Sequence, residues 1–203
     1  MKKFPLSFFI IFIFLVGCSN INVLNSNEDK SKYRDELKTL VPQILNNSVL
    51  AENMIKIYST LWDYSLDSYV YSKDIQNLLK ISEYEVEEYF GSANSNGEIF
   101  TSFEKTINGA NQFYEDEDQI KELETNSETI SKKLQELNNP PQEYQDVYDK
   151  VLELYLLHEE YIDMAISPNG SLMSYNQKVN ELSSKISNKI NEIDVIMPDN
   201  DKK

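Results

Sequence analysis

Apolar side chains recur every three to four residues through nearly the whole chain, the spacing that lines one face of an α-helix. Tyr33, Leu37, Leu40, Ile44, Ala51, Ile55, Tyr58, Leu61 and Tyr69 make a first stripe, with Ser48 and Ser65 filling gaps. Pro42 falls inside it. Proline has no N–H to donate, so it either starts the main helix at its first turn or kinks a longer one. From Ser72 to Phe90 the pattern continues less regularly through Ile75, Leu78, Leu79, Tyr84, Val86 and Tyr89. The run GSANSNG, Gly91 to Gly97, is the clearest internal loop.

A second long helix is expected from about Glu98 to Leu137, on the stripe Phe103, Ile107, Ala110, Tyr114, Ile120, Leu123, Ile130, Leu134 and Leu137. Asn138-Asn139-Pro140-Pro141 ends it and opens a third, with Pro141 suited to a first helical turn. That third helix, to about Ile166, carries Tyr144, Val147, Val151, Leu154, His158, Tyr161 and Ala165 on one stripe. Tyr148, Leu152, Tyr155 and Ile162 form another, so it needs two neighbours. Ser167-Pro168-Asn169-Gly170 is a turn, and Ser171 a plain N-cap. The fourth helix repeats cleanly from Leu172 to Met197 and stops at Pro198. The loops after the second and third helices are short, so consecutive helices should be antiparallel. No segment shows sustained period-two alternation. The expected fold is all-α: an elongated up-down antiparallel helical bundle of about four main helices with coiled-coil-like packing. At 1.5 Å per residue the first two would be ~60 Å long and the last two ~40 Å.

The start of the chain follows another pattern. Lys2 and Lys3 precede FPLSFFIIFIFLV, an apolar run of thirteen residues. A spanning helix needs ~20, so this run has the length of a signal-peptide core. Leu15, Val16 and Gly17 then lead into Cys18, the only cysteine. Leu15-Val16-Gly17-Cys18 resembles the lipobox of bacterial lipoproteins. That resemblance implies a diacylglyceryl group on the Cys18 thiol, recognition of Leu15, Val16 and Gly17 by a dedicated signal peptidase, and Cys18 as the mature N-terminus. Two acyl chains anchor stably where one does not. The implied location is the extracytoplasmic face of a cell membrane. The division that follows is 1–17 signal peptide, 18–30 lipidated cysteine and polar tether, 31–198 a single helical domain, and 199–203 a polar tail. The stretches LNNPPQEYQDVYDKVLELY and AISPNGSLMSYNQKVNEL resemble small helical lipoproteins of low-GC Gram-positive bacteria, which implies a helical shape and no particular activity.

Charge narrows the partners. The formal net charge is −15, and removal of Lys2 and Lys3 with the leader takes it to −17. Such a body does not bind nucleic acid or anionic headgroups through surface charge. From Glu104 to Asp163 there are 16 acidic and 5 basic side chains, whereas Ser171 to Lys203 has 5 of each. The acidic limb reads as a solvated face or as a docking surface for a basic protein partner, with Glu115, Asp116, Glu117 and Asp118 its densest point.

Candidate chemistry is sparse. His158, the single histidine, lies on a core stripe, and with Glu159 and Glu160 it makes no metal-binding pattern. The four consecutive acids would point four ways on a helix, and the glycine of a calcium loop is missing. No metal or other cofactor is called for. In YSTLWDYSLDSYVY, Tyr58 and Leu61 belong to the core stripe and Trp62 lies beside it. Tyr64 and Tyr71 fall off the stripe and are the candidates for exposed contacts. The reading is a non-enzymatic surface lipoprotein that works by protein–protein interaction. Alternatives are an envelope hydrolase or glycan-binding protein using carboxylates or the aromatic stretch near Trp62, and a leader whose IIFIFLVG tail becomes a pheromone.

Overall fold

The three-to-four spacing becomes helix over most of the chain, but in more pieces than the stripes suggest. The computed structural model describes residues 27–198, so Leu15, Val16, Gly17 and Cys18 lie outside the described residues. Seven helices and one two-stranded ribbon occur among them. The order is α1 (Asn27–Tyr64), β1 (Tyr69–Tyr71), α2 (Ser72–Leu79), α3 (Glu83–Phe90), β2 (Glu98–Phe100), α4 (Phe103–Asp116), α5 (Gln119–Glu136), α6 (Gln145–Ile166) and α7 (Leu172–Ile196).

The helix α1 is built on one seam. Tyr33, Leu37, Leu40, Ile44, Asn47, Ala51, Met54, Tyr58 and Leu61 are all buried, and they alternate four and three apart, the repeat of helices that pack lengthwise. Pro42 sits inside α1 on the solvent side, where its ring displaces no core contact. The helix begins at Asn27, inside the segment expected to be tether.

Side-chain pairings set the directions. Tyr33 donates to the Leu137 carbonyl (2.7 Å) and Asn47 to that of Leu123 (3.0 Å), so α5 runs antiparallel to α1. Trp62 stacks on Phe103 with centroids 3.8 Å apart and Tyr58 donates to Asn111, so α4 runs the same way as α5. The rings of Tyr33 and Tyr144 lie 5.7 Å apart and Ser48 meets His158 at 2.9 Å, which makes α6 parallel to α1. The return helix α7 is tied to α6 by Tyr175 on the Met164 carbonyl (2.8 Å), by Lys178–Glu160 (2.9 Å) and by Lys189–Glu153 (2.7 Å).

Two departures from four helices have physical causes. The expected helix from Glu98 to Leu137 is broken: α4 ends at Asp116, and Asp118 takes a left-handed φ of 55°. Buried Ile107, Ala110 and Tyr114 face one way; Leu123, Ser127 and Ile130 are also buried. On an unbroken helix at 100° per residue the two sets would point more than about 100° apart. The break at Glu117-Asp118 turns both inward. Four adjacent carboxylates, mutually repulsive within one turn, sit at that joint.

The second departure is the segment between α1 and α4. Tyr69, Val70 and Tyr71 form a strand, not a continuation of α1, and pair antiparallel with Glu98–Phe100 in the register Tyr69↔Phe100, Val70↔Ile99, Tyr71↔Glu98. Short aromatic and β-branched triplets suit a pleated pair. The helices α2 and α3 are inserted between the two strands. The capping box of Ser82 and Glu85 starts α3, and α3 packs on α4 at Gly109. A methyl group there would sit 2.4 Å from the Tyr89 carbonyl oxygen, so only glycine permits the contact. No helix among the described residues is long and apolar enough to cross a membrane.

Candidate functional site

The most polar place in the interior is a layer across α1, α5 and α6. His158 is fully buried. Ser48 donates its hydroxyl proton to the Ile44 carbonyl (2.9 Å), so its oxygen accepts from His158 Nδ1–H at 2.9 Å. That leaves Nε2 as an acceptor for Asn47 Nδ2 at 3.3 Å. The other Nδ2 proton goes to the Leu123 carbonyl, and Asn47 Oδ1 accepts from Asn126 at 3.1 Å. Ser48, His158 and Asn47 are thus joined in one run of hydrogen bonds, and the assignment follows from the network. Protonating Nε2 would set an N–H against an NH2, and burial pushes the His158 pKa down to about 4. The ring is neutral, closed to solvent and committed to other side chains. It offers no atom to a substrate. A satisfied polar layer between seams fixes which levels of the helices meet.

The buried phenols are equally unsuited to proton transfer. Burial pushes those of Tyr58, Tyr114 and Tyr175 well above their usual range. Trp62 belongs to this aromatic core, being buried and packed on both Phe103 and Tyr175. Among the described residues no three His, Cys, Asp or Glu side chains gather as metal ligands.

The outward chemistry lies in the inserted segment. Ser65 donates to the Trp62 carbonyl (2.8 Å), and Ser68 takes a left-handed φ of 64°. Together they turn the chain out of α1 into β1. Strand alternation then sorts the side chains. Val70 and Ile99 are buried, whereas Tyr71 and Phe100 are exposed at 43% and 71%. Tyr69 stands half-buried beside Tyr71, rings 5.5 Å apart and edge to face. Leu66, just before the strand, is 65% exposed, and Tyr84 on α3 is 74% exposed.

Beside this shelf lies a cleft of about 740 Å³ between the first turn of α2, the outer side of α3 and the loop Gly91–Gly97. Its loop is held in shape by Asn94, whose side-chain oxygen accepts from the N–H groups of Asn96 (2.8 Å) and Glu98 (3.1 Å). The Asn94 backbone N–H donates to the Glu98 carbonyl (2.9 Å). Gly97 closes the turn at a φ of 80°, where a side chain would be strained. Ser92 ties the loop to Glu87. Tyr71 is the aromatic wall.

The candidates from sequence are spread between two places. Tyr71 lines the cleft, and Tyr64 is 37% exposed at the end of α1. Glu115, Asp116, Glu117 and Asp118 are exposed at the α4–α5 joint, where Asp118 pairs with Lys121 (3.1 Å). Asp116 also reaches the module: burial and the Asp116 carboxylate that its hydroxyl meets hold the Tyr89 phenol up. Sequence reasoning missed Phe100 and Tyr69 as surface residues, because three-residue strands are too short to show alternation, and it set Tyr84, which is exposed, in the apolar pattern of Ser72 to Phe90. Comparison with protein-family models, with curated proteins and with solved structures finds no match to this chain.

Proposed function

We propose that this chain is a lipid-anchored, extracytoplasmic lipoprotein, non-enzymatic, that binds a protein partner through the ribbon module. One observation carries the reading. Among the described residues, the exposed large aromatic side chains are Tyr71, Tyr84 and Phe100 in the module and Tyr64 at the adjoining end of α1. Aromatic side chains are the anchors of protein interfaces. The module follows the C-terminal end of α1, whereas the lipobox precedes its N-terminal end. A helix of 38 residues separates the two by ~57 Å of rise. The bundle therefore acts as a stalk that lifts the module away from the membrane. Leu15-Val16-Gly17-Cys18 and the lysine-headed apolar leader support the anchor.

The test has two arms. Mass spectrometry of the membrane fraction is expected to find Cys18 acylated and N-terminal, and an unmodified Cys18 removes the anchor. A photo-cross-linking residue at Phe100 on intact cells is expected to capture a protein that the same probe at Leu156 does not. Equal capture from both positions removes the module as the contact surface.

A further inference from the structure

The shelf and the cleft share Tyr71, and their chemistry specifies what they take together. We infer that they receive an extended segment of a protein partner in which an arginine lies beside an apolar residue. The arginine enters the cleft, and its neighbour rests on the shelf of Tyr69, Tyr71 and Phe100. The inference rests on the reading above and adds the class of partner.

Charge complementarity is the argument. The cleft is lined by the carboxylates of Asp74, Glu83 and Glu87 against the single ammonium of Lys73. The wider module, Ser65 to Ser102, holds seven acidic and two basic side chains, a net of −5. Like-charge juxtaposition excludes acidic partners, and opposite charge steers basic ones. Among the described residues no three acids converge as metal ligands; these carboxylates line a cavity of about 740 Å³, far larger than a bare ion needs. A guanidinium suits carboxylates that line several sides of one cleft. It is planar, donates to carboxylates from several edges and stacks on a tyrosine face. The volume is in the range of clefts that enclose small ligands and admits a side chain with its flanking backbone. Asn94 and Ser92 hold the loop of the cleft in shape. Less ordering then opposes association. The edge-to-face pair of Tyr69 and Tyr71 extends the apolar surface away from the cleft, which is where the neighbouring residue of an extended chain falls.

The experiment uses the full-length chain in detergent micelles and a random dodecapeptide library displayed on phage. Selection is on the wild type, with counter-selection on the triple variant Tyr71→Ala/Glu83→Gln/Glu87→Gln, whose helical spectrum and thermal midpoint are checked first. Enriched peptides are expected to carry arginine within two or three positions of an aromatic or β-branched residue. A synthetic copy should bind the wild type about tenfold more tightly than the triple variant, and replacing its arginine by citrulline should cost about as much. The control Glu122→Gln/Glu124→Gln lowers the negative charge equally on the exposed side of α5 and should bind as the wild type does. Glu83→Gln alone, a surface change that leaves the shelf intact, should weaken binding by a smaller factor. Absence of enrichment, a neutral or acidic consensus, equal binding of the citrulline peptide, or an equal loss in the control each overturns the inference. If cross-linking from Phe100 still captures a partner while the selection fails, the module remains the contact surface and the arginine specificity is lost. If both fail, the functional reading goes with it.

Discussion

The bundle and the inserted module use the same residue types in opposite ways. In the bundle, α1, α5 and α6 each bury a seam spaced three and four apart, and even the polar residues on those seams, Asn47 and His158, are joined to one another. In the module, 38 residues from Ser65 to Ser102 bury Val70, Ile75, Leu79, Val86 and Ile99 while leaving Leu66, Tyr71, Tyr84 and Phe100 exposed. The bundle also exposes apolar side chains, Leu45, Val49 and Leu50 on α1, Leu152 and Leu156 on α6, and Met173, Val195 and Ile196 on α7, but none of these is aromatic. The difference separates a part whose seams are joined internally from a part that turns aromatic side chains to solvent. A contiguous exposed apolar patch, such as Tyr69, Tyr71 and Phe100 make across the ribbon, marks an interaction surface where single exposed residues do not.

That contrast can be broken at several depths. The largest effect is expected in the bundle. Leu154 is fully buried on the α6 seam, and Leu154→Ala should lower stability by about 2–5 kcal/mol through lost burial and a cavity. Chemical denaturation would show one cooperative transition moved to lower denaturant. A shift below about 1 kcal/mol would mean that the seam is not the main source of stability.

The polar layer predicts a pH dependence. The His158 pKa is pushed down to about 4 in the folded chain against about 6.5 when unfolded. The unfolded chain therefore takes up the proton first. The contribution of neutral His158 is fully present above about pH 6.5 and is lost as pH falls toward 4, by at most about 3 kcal/mol. His158→Gln should be less stable at pH 7 by about 1–3 kcal/mol, because Ser48 and Asn47 lose their partner. Between pH 7 and 4.5 it should lose less than the wild type does. Parallel curves for the two proteins would show that the layer is not proton-linked.

A third change tests whether the module is separable. Gly109→Ala places a methyl group against the Tyr89 carbonyl and should cost about 1–3 kcal/mol. The effect should be local: hydrogen exchange should rise across Glu83–Phe90 and stay unchanged in α6 and α7. Uniform acceleration would join module and bundle into one cooperative unit. The smallest effect on stability belongs to the shelf. Phe100→Ser, at a residue 71% exposed, should change stability by no more than about 0.5 kcal/mol while abolishing capture of the partner from a photo-cross-linking residue moved to Leu66. Loss of stability with retained capture would reverse the assignment of the two regions.

The sequence by itself determined the helical class and most of the core. Spacing marked Leu37, Ile44, Val151 and Leu154 as inward, and all are buried. It also marked Tyr64 and Tyr71 as off the stripe, because helical periodicity is a local property that needs no knowledge of neighbours. The α4–α5 break departs from the single helix that the stripe from Phe103 to Leu137 predicts, although that stripe changes phase between Tyr114 and Ile120. What the tertiary structure alone decided is non-local. Tyr69–Tyr71 is a strand because Glu98–Phe100 lies beside it, and neither triplet is long enough to declare itself. Asn47 is a core residue because His158, Leu123 and Asn126 converge on it from two other helices. Gly109 matters because Tyr89 comes within reach. Each depends on residues twenty or more positions apart being brought together, which a periodic pattern along one helix does not encode.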